Sequence, residues 1–213
     1  SVQMLIYYAE QIERYTMTYK KLKRGESISF GDSLNIKLIQ REDLDDIIPM
    51  LNDQEVNAYL FFAPAEESMF HAFFTPIIEN TEHAINKGNW PDSPTFVIRD
   101  KQGHYMGMCG LSKVMFLEGN YEVGYQLPVH AWGKGIATRA CRLLTDIAFN
   151  ELGSHKVSAD CYGANTGSYK TMEKCGFTFE GRQIDYYKVE SGFDDKVYYG
   201  ITAKQYFQKS PNQ

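Results

Sequence analysis

Apolar and polar residues alternate singly along Tyr121 to Leu127. Tyr121, Val123, Tyr125 and Leu127 fall on one side, and Glu122, Gly124 and Gln126 on the other. That is the period-2 pattern of a half-buried strand. Pro128 and Val129 break it, and Gly133-Lys134-Gly135-Ile136-Ala137-Thr138 leads into a second pattern. There Ile136, Ala140, Leu143, Leu144, Ile147 and Ala148 recur at helical spacing, with Leu152 at the end and Gly153 as a stop. Strand, loop, glycine turn and long helix form the frame around which the chain is arranged.

Upstream, Leu5, Tyr8, Ile12, Tyr15, Tyr19 and Leu22 recur in alternating steps of three and four between Ser1 and Arg24. This predicts a helical extension over residues 1–25, ended by Gly25, with a seam of the coiled-coil kind. The seam suits either a homodimer contact or packing on the chain's own body. Asn35 to Gln40 alternates as a first strand. Arg41-Glu42-Asp43 then caps a helix running through Leu51. In the aromatic stretch Tyr59 to Asn80, Pro64 suits the first turn of a helix, and Phe70, Phe73, Phe74 and Ile77 share one face. Thr95 to Arg99, a turn at Asp100 to Gly103, Tyr105 to Val114 and a turn at Leu117 to Asn120 make an antiparallel meander that ends in the frame strand.

Downstream, Lys156 to Tyr162 follows the long helix, which makes it a parallel neighbour of that strand. Thr166 to Cys175 is a short helix. Phe177 to Lys188 and Lys196 to Ile201 form a last hairpin across Ser191 to Asp195.

The 213 residues, with 43% hydrophobic and 23% charged, suit one domain, here 33–208. The net charge of −5 argues against broad nucleic-acid binding. Cys109, Cys141, Cys161 and Cys175 show no Cys-x-x-Cys and no histidine at metal-ligand spacing. They read as small core residues in a reducing compartment, and no metal is expected. No secretory signal or membrane-length apolar run is visible, so a cytoplasmic location without membrane contact is expected.

The glycine turn carries the candidate chemistry. Helix first-turn N–H groups lack intrahelical partners and point outward together, with the helix dipole adding positive charge. Glycines admit a ligand close to the backbone, so the turn reads either as a pyrophosphate cradle or as a plain tight turn. A Walker A loop would need Gly-Lys-Ser/Thr after a longer glycine loop. A dinucleotide fingerprint fits only partly, because Pro128 to Trp132 is inserted before the first glycine and the strand alternates.

The run Gly124-Tyr125 … Trp132-Gly133-Lys134-Gly135-Ile136-Ala137-Thr138 resembles the acetyl-CoA motif Gln/Arg-x-x-Gly-x-Gly/Ala of the GNAT superfamily, with His130 at the Gln/Arg position. Asn165-Thr166-Gly167-Ser168 followed by Met172-Glu173-Lys174-Cys175-Gly176-Phe177 resembles the family's Asn-x-x-Ser … Glu-Lys-x-Gly-Phe block. Together the two blocks look most like the RimJ/RimL branch of ribosomal-protein N-terminal acetyltransferases. The resemblance covers roughly Leu34 to Phe207 and is sharp from Tyr121 to Gly181.

This resemblance implies an α+β GNAT fold: a mixed, mostly antiparallel sheet splayed at its centre, with helices on both faces. It implies acetyl transfer from acetyl-CoA to an amine, either a protein N-terminus or a small amine. Gly133, Lys134, Gly135, Ile136, Ala137 and Thr138 would cradle the cofactor. A backbone N–H at Gln126, Leu127 or Val129 would hold the thioester oxygen, since Pro128 has none. Asn165 would hold the pantetheine arm.

Many members place an acid tyrosine where Met172 stands here. The RimJ/RimL resemblance instead implies the serine of Asn-x-x-Ser, Ser168, as the acid, with Tyr169 in reserve; Ser168 reads equally as a helix-terminus hydroxyl. Glu122 or Asp185 is the candidate base, or a water relay serves instead. A non-catalytic acetyl-CoA sensor, a dinucleotide enzyme and an interaction protein built on the first helix are the rival readings.

Overall fold

The computed structural model describes residues 2–209, so Ser1 of the predicted first helix lies outside the described residues. The elements run α1 (Val2–Lys23), β1 (Ile28–Ser29), β2 (Leu34–Leu38), α2 (Leu44–Leu51), α3 (Gln54–Asn57), α4 (Glu67–Asn86), β3 (Thr95–Asp100), β4 (Tyr105–Lys113) and β5 (Asn120–Gln126). They continue through α5 (Ile136–Asn150), β6 (Lys156–Tyr162), α6 (Thr166–Lys174), β7 (Thr178–Val189), β8 (Gly192–Thr202) and α7 (Ala203–Lys209).

The eight strands form one sheet in the order β1-β2-β3-β4-β5-β6-β8-β7. All neighbours are antiparallel except β5 and β6. Those two pair in parallel at Asn120–Lys156, Tyr121–Val157 and Glu122–Ser158. β5 continues to Gln126 and β6 to Tyr162, so the two strands diverge beyond this short seam. The expected fold, a mostly antiparallel sheet splayed at its centre, is therefore the observed one.

Helices cover both faces. On one, Ile136, Ala140, Leu144, Ile147 and Ala148 of α5 pack with Tyr121 and Val123 of β5 and Val157, Ala159 and Cys161 of β6. On the other, Ile47, Ile48 and Leu51 of α2 and Phe70, Phe74 and Ile78 of α4 close over Val97 and Met108. Glu122, Asp160 and Lys196 share this second face at its β5, β6 and β8 strands.

Three readings are corrected, and the seam of α1 is divided. Pro64 does not open a helix: it follows a cis bond after Ala63, and α4 begins only at Glu67. Phe73 leaves the shared face and is 64% exposed, because the buried stripe of α4 runs through Phe70, Phe74, Ile78 and Thr81 and leaves Phe73 on its flank. The last hairpin turns between Val189 and Gly192, so Asp194 and Asp195 lie within β8 rather than in the turn. The seam of α1 splits. Tyr19 and Leu22 are buried, anchored by edge-on rings from Tyr19 to Trp90 and from Trp90 to Phe96. Leu5, Tyr8 and Ile12 instead are exposed, and Tyr15, at the edge of the body, accepts the Asn150 amide and lies edge-on to Tyr19.

Candidate active site

The site is built where β5 ends and α5 begins. Gly133 and Gly135 both hold φ +72°, a left-handed conformation that residues with a Cβ rarely adopt. A Cβ built at either glycine meets nothing within 4 Å, so the turn is open on its outer side. No side chain caps α5, and its first turn has no acidic residue. The first intrahelical bond runs from the Arg139 N–H to the Gly135 carbonyl. The N–H groups of Ile136, Ala137 and Thr138 therefore face the turn without intrahelical partners. Lys134 is exposed beside them. An anion fits this arrangement both by geometry and by charge.

The loop from β5 to the turn is pinned. The Trp132 indole donates to the Leu127 carbonyl at 2.9 Å, and His130 Nε2 donates to the Tyr105 carbonyl at 2.9 Å. Gly107, at φ +138°, leaves the space that the Leu127 side chain fills. A Cβ there would lie 2.2 Å from Leu127 Cδ2. Leu127 is thus a core residue, and His130, at the Gln/Arg position of the motif, is spent on holding the loop. Val129, His130 and Lys134 line a wide cleft of about 1030 Å³ on the α2 side, together with Asp46 and Arg99.

Between the diverging strands lies a second cleft, of about 130 Å³. Gly124, Tyr125 and Gln126 of β5 face Asp160, Cys161 and Tyr162 of β6 across it. Asn165, Ser168 and Met172 of the α6 region close one end, and the loop Tyr59 to Phe62 walls the other. The Asn165 side chain accepts the Ser168 N–H at 3.2 Å and so caps α6. The Tyr125 hydroxyl donates to the Ser168 carbonyl at 3.1 Å and lies 3.4 Å from Ser168 Oγ. Burial, followed by the thiol of Cys141, pushes the Tyr125 hydroxyl well above its usual range, so it stays protonated at any working pH. Met172 is buried and only lines the cleft. Tyr169 turns away from it and stacks on Tyr199.

The two candidate bases are placed differently. Glu122 reaches solvent, yet loss of hydration against the sheet and then the Asp160 carboxylate hold its pKa above the usual range, while Lys196 opposes them. Asp185 sits on a bulge of β7 at φ +53°, and its N–H donates to Asp195. Its side chain is exposed, and neither it nor Glu122 is among the described residues lining the cleft.

Sequence reading passed over Tyr125, Asp160, Lys196 and the stacked rings of Tyr162 and Tyr187, 3.7 Å apart. The signal for Asp160 was present. Once β6 is set parallel to β5 with Ser158 opposite Glu122, the period of two puts Asp160 on the face of Glu122.

A model of the acetyltransferase (GNAT) domain matches residues 33–178, which include the glycine turn, both cleft strands and α6. The chain belongs to the GNAT acetyltransferase family. As a GNAT protein it is an N-acetyltransferase. α1 lies before the matched residues.

The putative ribosomal N-acetyltransferase YdaF of Bacillus subtilis is 27% identical over 178 residues, spanning 83% of this chain and 94% of that protein. A spermidine N(1)-acetyltransferase of Vibrio cholerae is 22% identical over 182 residues, spanning 84% and 99%. The crystal structure of a spermidine N-acetyltransferase from Vibrio cholerae, in complex with CoA and spermine, shares the GNAT fold with a TM-score of 0.69. Its identity is 22%, and the match spans 82% of this chain and 98% of that one.

Proposed function

We propose that this GNAT protein transfers the acetyl group of acetyl-CoA directly to a primary amine, on a small molecule or a protein N-terminus, with both substrates held together. The observation that carries the reading is the alignment of three features: the open, uncapped glycine turn, the gap between β5 and β6, and the paired hydroxyls of Tyr125 and Ser168 inside that gap. The RimJ/RimL likeness and the spermidine acetyltransferases among the relatives both point to amine acceptors.

In this reading the N–H groups of Gly133, Lys134, Gly135, Ile136, Ala137 and Thr138 receive the pyrophosphate, with the Lys134 ammonium beside it. Acetyl-CoA, when bound, supplies the acetyl thioester. The end of β5 at Gln126, Leu127 and Val129 offers backbone N–H to the thioester oxygen as negative charge develops there. Asn165 orders α6, and so sets Ser168 at the mouth of the gap. Ser168 gives its proton to the departing thiolate and takes one back from solvent, while the Tyr125 hydroxyl, donating to the Ser168 carbonyl, holds it in place. Glu122 removes the proton of the incoming ammonium directly or through water. Asp185, on the exposed bulge of β7 rather than on a strand that borders the gap, is the weaker candidate.

A second reading, a sensor that binds acetyl-CoA without turnover, rests on Met172 at the position of the acid tyrosine. Release of CoA thiol with a panel of primary amines separates the two: release supports the enzyme, and binding without release supports the sensor.

We infer also that the exposed part of the α1 seam pairs with a second copy of the chain. Leu5, Tyr8, Ile12 and Tyr15 continue the line of the buried Tyr19 and Leu22, and a spermidine N-acetyltransferase of Vibrio cholerae is described as dodecameric. Four free cysteines, three of them buried, suit a cytoplasmic setting. No helix of the described residues is long and apolar enough to cross a membrane.

A further inference from the structure

The gap between β5 and β6 carries a second piece of information, about the charge of the acceptor. Asp160 is the one carboxylate among the described residues that line it. Lys196 Nζ lies 3.3 Å from Asp160 Oδ2. Lys196 is held there: its side chain is 17% exposed, and its ammonium sits 5.0 Å from the centre of the Tyr186 ring and 5.1 Å from that of Tyr198. Tyr198 is fixed in turn by its hydroxyl on Gln183. Glu122 stands on the same side of the sheet, close enough that both Asp160 and Lys196 act on its charge. Asp194, on β8, accepts the backbone N–H groups of Ala164 and Asp195 and is not among the described residues that line the gap.

The one carboxylate among the described residues that line the gap is thus compensated by an ammonium. The rest of the wall is aromatic: the Tyr162–Tyr187 stack, Tyr59 tilted against it, and Phe61 and Phe62 at the mouth, both exposed. Aromatic faces accept an ammonium and its apolar carrier alike. A second or third ammonium would find Asp160 already paired with Lys196.

We infer that Lys196 is a charge filter, so that the acceptor is an amine carrying one positive charge on an apolar or aromatic body, and polyamines are rejected. The inference rests on the acetyl-transfer reading above. Its chemistry is shared by small monoamines and by peptides whose N-terminal residue is apolar. Lys196 touches neither reacting atom and acts by setting the charge of Asp160.

The test compares kcat/KM for three acceptors at saturating acetyl-CoA: 2-phenylethylamine, a neutral tripeptide amide with N-terminal Met, and spermidine. The wild-type protein is expected to favour one of the two singly charged acceptors over spermidine by roughly tenfold or more. Whichever of them is used names the source. Lys196→Met should raise the ratio of spermidine to monocation by at least about tenfold, mainly through KM, and Lys196→Arg should restore the wild-type ratio. A wild-type preference for spermidine would overturn the filter even if Lys196→Met failed to fold, and so would a ratio unmoved by Lys196→Met. Absence of both CoA release with any acceptor and a thermal shift with acetyl-CoA would overturn the acetyl-transfer reading itself, and the filter with it.

Discussion

Gly135 holds a left-handed φ with empty space around the Cβ it lacks, so the effects of a side chain there can be separated. Gly135→Val strains the backbone by about 1–2 kcal/mol and touches no neighbour, so the fold should survive. The branched side chain would stand where the pyrophosphate approaches. Acetyl-CoA should then no longer raise the melting temperature of a protein that still unfolds cooperatively; a retained shift would mean that the turn is not the cradle.

Ser168→Ala removes one hydroxyl of the pair and leaves the backbone carbonyl on which Tyr125 rests. kcat should fall by roughly 10²-fold while KM for acetyl-CoA changes little, as for loss of a general acid. Steady-state kinetics with a fixed amine check this, and unchanged kcat removes Ser168 from the chemistry.

Glu122 has a folded-state pKa above its unfolded value, so the folded protein binds this proton more tightly. Stability attached to Glu122 is present in acid and is lost as pH rises from the ordinary carboxylate range to the raised one, then levels off. Glu122→Gln should remove that step from melting curves measured against pH. If Glu122 is the base, the same substitution also removes the acidic limb of the rate profile.

At the scale of elements, α1 does two jobs with one stripe. Leu22 is fully buried, so Leu22→Ala should cost about 2–5 kcal/mol. Ile12, 66% exposed on the same stripe, contributes nothing to the monomer's core. Ile12→Glu should therefore leave the melting temperature of a monomer unchanged but halve the mass seen by light scattering at micromolar concentration. If the wild type is already monomeric, α1 does not mediate pairing.

This split explains what the sequence could not convey. Periodicity reports that a stripe exists, and only the body's edge decides how much of it is covered. The same holds for α4, where four apolar residues read as one face and Phe73 fell outside it. Long periodic elements such as α5, and the meander from Thr95 to Gln126, were legible because one face is buried along their whole length. β1 and α3, with two and four residues, are too short to leave a period. The glycine cradle was legible as a motif, because its geometry is local. Lys196 and the Tyr162–Tyr187 stack were not, because they come to Asp160 only through the pairing of β8 with β6 and with β7.

At the scale of the whole molecule, donor binding should register as stability. Acetyl-CoA at about a hundred times its dissociation constant adds roughly 2.7 kcal/mol. For a chain of this length that is a rise of about 5–10 °C. NAD and ATP at equal concentration should give none, and differential scanning fluorimetry decides. A rise with NAD alone would reassign the glycine turn.

The parallel pairing of β5 and β6 stops after Glu122, and this makes two edges inside one sheet. From Val123 and Ala159 onward each strand is bonded to its outer neighbour alone and presents N–H and C=O groups to the gap. Such edges are normally found at a sheet's border. Here they form a hinge line across the middle of the protein, spanned by three rungs. Amides facing the gap should exchange with solvent much faster than those bonded to β4 or β8, and a ligand arm bearing its own amides should slow them by standing in for an absent strand. This short central seam is thus also where the acetyl-transfer reading puts the substrates. A variant that zipped β5 and β6 two residues further would gain stability and lose its substrate, which sets a ceiling on how stable this sheet can become while remaining useful.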